Sequence, residues 1–186
     1  RYYVVAYVPS GQKGKLWLSI GKKESFGLAE WAKFGEWKNP GKVFITGASS
    51  GIGASYAKAF AKNGFDLVLL ARRKDRLKAL AKLLESDFSI NCEIITADLS
   101  EKEDIKKAAN YIRQIDNLDM LINNAGFATI GYFADIPIEK SMRMFHTHMT
   151  ATVQFTHAAL QVMIKRKRGA IINVSSMGAF MLTPGN

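Results

Sequence analysis

Residues 46–53 read Thr-Gly-Ala-Ser-Ser-Gly-Ile-Gly, directly after the apolar run Val43-Phe44-Ile45. The chemistry this spacing suits is the holding of a pyrophosphate. Gly47 allows a sharp turn at a strand end, because glycine accepts backbone angles that other residues avoid. Gly51 carries no side chain to block a phosphate, and Gly53 lets the following helix lie close on its strand. The helix N-terminus then offers N–H groups and a positive dipole end. A glycine triplet alone arises in ordinary turns. Here a strand pattern precedes it and a helical pattern follows at Tyr56, Ala57, Phe60 and Ala61, which is the context a dinucleotide site needs.

The ends of the later apolar runs carry the other candidates. The run Asp66–Ala71 ends in Arg72-Arg73, with no carboxylate until Asp75. In dinucleotide folds this position reads the adenosine ribose, and an acid there would hold the hydroxyls of NAD. Two guanidinium groups favour the 2′-phosphate of NADP, which arginine grips through parallel charge-assisted hydrogen bonds. The plainer alternative is two solvated arginines at a helix start. Asp98 could accept a hydrogen bond from an adenine amino group with Leu99 against the ring, or Asp98 could cap the next helix. Asn123 and Asn124 suit cross-links between loops, and Gly126 permits close approach of a cofactor. Ser176 could aim its hydroxyl into a substrate space, although a Ser-Ser pair is also an ordinary loop.

These positions need a parallel sheet to gather them. Strands are expected at 42–46, 66–71, 92–97, 118–122 and 170–174. Helices are expected from Gly51, from Asp75 (as N-cap) to Phe88, from Ser100 to about Ile115, over Ile138–His148 and over Ala151–Lys167, the last two as separate helices or one continuous one. Ser100 and Glu103 have capping-box spacing. Alternation of strand and helix implies right-handed βαβ units, with ligands at the carboxyl ends of the strands. The fold class is therefore α/β, a Rossmann-type doubly wound sheet over 41–186. Residues 1–40 differ. Tyr2–Val8 and Leu16–Ile20 suit a hairpin around a turn at Pro9–Gly14, and Ser25–Trp37 suits an amphipathic helix rich in aromatics. This small hairpin-and-helix appendage carries no motif that assigns chemistry.

Composition narrows the class. Hydrophobic residues make up 48% and charged residues 23% of 186 residues, as in soluble globular proteins. The net charge of +10 raises the question of nucleic acid or an anionic surface. The basic residues are scattered except at Lys165–Arg168, where a solvated turn is the expected role, so no nucleic-acid partner is expected. Cys92 is the single cysteine, which rules out an internal disulfide or a cysteine zinc site and fits a cytoplasmic setting. No metal site, membrane span or secretory signal is expected. Apolar residues spread over more than one face of 151–167, so a homo-oligomer is expected.

Together the motifs resemble the short-chain dehydrogenase/reductase family over Gly41–Asn186. The resemblance assigns Gly47, Ser49, Ser50, Gly51, Ile52 and Gly53 to the cofactor turn and Asp98-Leu99 to the adenine pocket. Asn124-Ala125-Gly126 matches the family's sheet-stabilising motif, and Gly169–Ser176 its serine strand, with Ser176 as the catalytic serine. It implies hydride transfer between NADP(H) and a carbonyl or alcohol, the cofactor sites including Arg72 and Arg73. Two departures stand out. His148 occupies the place of the family's catalytic Asn, where it could hold a water in a proton relay or simply pack. No tyrosine is followed by lysine four residues later, so the Tyr-x-x-x-Lys pair is expected beyond Asn186 and the sheet is C-terminally incomplete. The alternative function is a non-catalytic NADP-binding regulatory or interaction protein.

Overall fold

Short apolar runs buried on both faces make the centre of the sheet. In β3, Lys42–Thr46, all but the first residue are buried, and in β4, Asp66–Ala71, all but Asp66. Such continuous burial requires helices on both sides. A computed structural model describes residues 39–176 in full, and of the N-terminal segment it describes the strands β1, Tyr2–Tyr7, and β2, Ser19–Gly21. The chain continues through α1, Gly51–Lys62; α2, Lys74–Phe88; β5, Cys92–Thr96; α3, Lys102–Ile112; β6, Leu118–Asn123; α4, Ile138–Phe145; α5, Ala151–Arg166; and β7, Ala170–Val174.

Among the described residues seven strands form one sheet, in the order β2-β1-β7-β6-β3-β4-β5. The five from β3 onward are parallel, while β1 pairs antiparallel with β7 and with β2. The strand order reverses at β3, between β4 and β6, and places a crevice at the carboxyl ends of these strands. Strand alternation divides the core. Val43, Ile45, Leu67 and Leu69 face α1 and α2, whereas Phe44, Val68 and Leu70 face α3 and α5. On α1 the buried residues are Gly53, Ala57, Phe60 and Ala61, the helical stripe legible in the sequence.

Several local expectations change. Helix α2 begins at Lys74, and Asp75 sits in its first turn rather than capping it; a carboxylate there still complements the helix dipole. Helix α3 begins at Lys102 and ends at Ile112, without a side-chain cap from Ser100. The Ser100 hydroxyl donates instead to Asp98 Oδ1 at 2.7 Å, an Asx-type bond that competes with capping. Helices α4 and α5 are indeed continuous, joined by a π-helical turn over His146–Thr150.

The basic run 165–168 is only half solvated. Arg168 Nη2 lies 2.7 Å from Oδ2 of the fully buried Asp119, and Arg166 Nη1 lies 3.0 Å from Oδ1. Arg166 aims that N–H at the Leu118 carbonyl, 2.7 Å away. A carboxylate taken wholly out of water needs such partners, so these arginines lock the base of the sheet. The expected turn at 9–14, the return strand before Ser19, the helix 25–37 and residues 177–186 lie outside the described residues.

Candidate functional site

The glycine turn leaves β3 with the backbone that only glycine accepts easily: φ is +67° at Gly47 and +56° at Gly51. The three glycines do different work. A Cβ on Gly53 would stand 2.4 Å from the Gly47 carbonyl oxygen, and one on Gly47 would meet the Ala125 backbone at 2.9 Å. Those two are required by packing. A Cβ on Gly51 would meet nothing within 4 Å. Gly51 therefore faces open space at the start of α1, whose first turn carries neither an acidic residue nor a side-chain cap. This is the cradle that a phosphate needs.

Thr46 and Asn124 clamp the turn to the neighbouring strand end. Thr46 Oγ1 accepts from the N–H groups of Asn124 and Ala125, both at 2.9 Å, and Asn124 Nδ2 donates to the Thr46 carbonyl at 3.0 Å. Asn123 Nδ2 donates to Asn173 Oδ1 at 2.8 Å and so ties β6 to β7. The cross-linking expected of the asparagines is present. Thr46 is the partner that the sequence reading did not single out, and its one signal was a polar residue ending an apolar strand.

At the end of β4 the two arginines separate in role. Arg73 Nη2 donates to Ser49 Oγ at 2.9 Å and to Ser50 Oγ at 2.6 Å, so its guanidinium lies over the glycine turn. Arg72 leans the other way, 3.9 Å from Asp98 Oδ2. Asp98 also receives the Ser100 N–H at 3.0 Å and Arg143 Nη2 at 3.3 Å. Partial burial pushes the Asp98 carboxyl up, but the Ser100 hydrogen bonds and the charges of Arg72 and Arg143 outweigh it and hold the group below its ordinary value. Arg143 arrives from α4, 45 positions away in sequence, and nothing in the local pattern announces it.

A cleft of about 510 Å³ runs between these groups, lined by the glycine turn, Arg72, Arg73, Asp98, Leu99 and the segment Asn124–Phe127. It gathers every candidate cofactor residue but Gly53, which packs against the Gly47 carbonyl instead. The residues fit a dinucleotide: an open glycine for the phosphates, guanidinium groups and hydroxyls where the ribose falls, and an apolar residue, Leu99, beside Asp98.

Gly126 lines this cleft and also faces a side chain. A Cβ there would come within 2.8 Å of His148 Cε1, so the imidazole is what approaches closely. His148 sits in the π turn, with Nε2 3.0 Å from the Phe127 nitrogen and 2.9 Å from its carbonyl oxygen. It braces the segment after β6. Ser176 follows β7 and is exposed at the same carboxyl edge of the sheet. Among the described residues no helix is long and apolar enough to cross a membrane.

The chain is 31% identical over 144 residues to a very-long-chain 3-oxoacyl-CoA reductase of Anas platyrhynchos, covering 75% of this chain and 46% of that protein. It is 27% identical over 154 residues to a human protein named inactive hydroxysteroid dehydrogenase-like protein 1, covering 82% and 45%. A short-chain dehydrogenase from Sphingobium yanoikuyae, solved in complex with NADPH, superimposes with a TM-score of 0.75 at 39% identity, over 78% of this chain and 57% of that one. The chain thus spans about half the length of the curated relatives it matches. The family model described as short chain dehydrogenase matches residues 41–186, the stretch that holds the parallel strands, the glycine cradle and the clamped asparagines, and the chain belongs to that family.

Proposed function

We propose that this chain binds NADP(H) and supplies the cofactor-binding part of an oxidoreductase that moves a hydride between the cofactor and a carbonyl or alcohol. The observation that carries the reading is the Arg73 guanidinium held over the Ser49 and Ser50 hydroxyls, with Arg72 beside it and no carboxylate in the place that would read NAD. The neighbour solved with NADPH supports the same choice. Residues 41–186 form the dinucleotide-binding domain, and residues 1–40 are an N-terminal segment whose strands continue its sheet. A bound nicotinamide cofactor supplies the hydride chemistry. On this chain, Ser176 hydrogen-bonds the substrate oxygen, and His148 holds the backbone beside the reacting end through Phe127. Cys92 is the single cysteine and forms no internal disulfide, which supports a cytoplasmic placement.

The partner reading is a homo-oligomer through α4 and α5. Ile138, Met142, Phe145, Met149 and Val153 are each 45–62% exposed and recur every three or four residues. A stripe of that kind on a continuous helix is a surface for a second copy. Sedimentation of wild type against Met142→Glu tests it; a monomer in both, at all concentrations, removes the oligomer.

The decisive experiment on function titrates NADPH and NADH into the protein and into Gly51→Val. Wild type is expected to bind NADPH more tightly. The variant is expected to fold with lowered stability, since its side chain meets no neighbour but a β-branched residue is strained at φ +56°, and to lose NADPH, since that space is the phosphate's. Unchanged affinity in a folded Gly51→Val protein would remove the phosphate role from the turn.

A further inference from the structure

A second cleft, of about 710 Å³, meets the cofactor cleft at Arg72 and Phe127. Its other lining comes from the segment between β6 and α4 and from the first turns of α4. The apolar part of that lining is left in water: Ile130 is 89% exposed and Tyr132 70%. Its charged part is one-sided. Arg72, Lys140 and Arg143 line it against the single carboxylate of Asp135. Lys140 and Arg143 stand three residues apart on α4 and so share a face. Arg72 lies 3.9 Å from Asp98, and Arg143 uses its Nη2 on Asp98 at 3.3 Å and its Nε on the Ser100 hydroxyl at 3.1 Å, while their side chains remain 64% and 51% exposed. A guanidinium carries five N–H donors in a fork that matches phosphate. The Lys140 ammonium makes no hydrogen bond or ion pair with any described residue. Arg73, by contrast, is spent on the cofactor turn.

We propose that this cleft takes a phosphate-class anionic group carried on an apolar body. The cations seat the anion and the Phe127–Tyr132 segment covers the apolar part. Identifying that ligand as the substrate's far end rests on the oxidoreductase reading above; the existence of the anion site does not.

The test uses octyl phosphate and octanol as probes, titrated into protein saturated with NADPH and into Lys140→Glu and Lys140→Met. Octyl phosphate is expected to bind one to one without displacing NADPH and more tightly than octanol. Reversing one charge of the cluster should weaken it about tenfold, and removing that charge should weaken it less. Octanol and NADPH should bind all three proteins alike. Equal binding of the two probes, or indifference of octyl phosphate to both substitutions, overturns the proposal. Displacement of octyl phosphate by NADPH also overturns it, because the cations then serve the cofactor alone. Charge-dependent binding of octyl phosphate by protein that fails to bind NADPH would sustain the anion site and sink the cofactor reading instead.

Discussion

The two ends of the parallel sheet use the same ingredients, arginine and aspartate, to opposite effect. At the amino end of the strands Asp119 is fully buried, and Arg166, Arg168 and the Gly41 N–H close on it at 2.7–3.0 Å. The side chains of both arginines are about a third exposed or less. At the carboxyl end Asp98 is 30% exposed, its ion pairs run to 3.3 and 3.9 Å, and both arginines are more than half exposed. The first cluster is closely paired in charge within the protein, although Asp119 Oδ1 accepts no hydrogen bond among the described residues. The second is only loosely so, and its donors remain free to meet a ligand. Burial and pairing distance, rather than residue type, separate an arginine that holds the fold from one left open to a ligand.

The comparison breaks most visibly at the buried end. Asp119→Ala leaves two guanidinium groups facing a buried position without their counter-charge. Losing one partner of a buried pair costs about 3–5 kcal/mol; partial exposure of these arginines lowers the expectation to about 2–4 kcal/mol. Chemical denaturation is the measurement, with the NADPH affinity of the folded fraction unchanged. A loss below about 0.5 kcal/mol, the range of an ordinary surface substitution, would show that the base cluster is no lock.

Arg73→Ala probes the open end and should show the reverse pattern. Stability should move by less than about 0.5 kcal/mol. The preference for NADPH over NADH should fall by the roughly 1.5–3 kcal/mol of a charge-assisted contact, at least tenfold. Arg72→Ala should lower the same ratio less, because Arg72 leans toward Asp98 and only Arg73 lies over Ser49 and Ser50. Titrations of both cofactors into both variants decide the order; a larger effect at Arg72 would exchange the two roles.

Sequence reached the sheet and the turn because their signals are local. A short run such as Leu67–Leu70, bounded by turn residues, is consistent with a buried strand, and Gly47, Gly51 and Gly53 sit within one turn of chain. It reached Asn124 and Arg73 as positions, since strand ends are countable. It did not reach their partners. The Thr46 clamp, the Arg143 reach to Asp98 and the Asp119 lock all join residues 45 or more positions apart, and no periodicity encodes such pairs. The capping box at Ser100 misled because a nearer acceptor, Asp98, took the hydroxyl. The run 165–168 misled because a charge run looks the same whether its partner is water or a buried aspartate. His148 was legible as a departure, and what it touches was not.

The smallest expected effect sharpens the comparison on the Asp98 side. Hydrogen bonds from Ser100 and the charges of Arg72 and Arg143 lower this carboxyl from its ordinary value despite some burial. A group whose pKa is lower in the folded protein stabilises it above the unfolded pKa, about 3.9 for aspartate. That contribution is lost as the pH falls through the folded value. The wild-type protein should therefore lose an increment of stability below about pH 4 that Asp98→Asn lacks. The size is less than about 1 kcal/mol, because solvent screens an ion pair this exposed. Unfolding midpoints measured from about pH 6 down to about pH 3 should give a steeper acid limb for wild type than for Asp98→Asn. Parallel limbs would mean that Asp98 is held no more firmly than a free surface carboxylate, and that Arg72 and Arg143 stand beside it without engaging it.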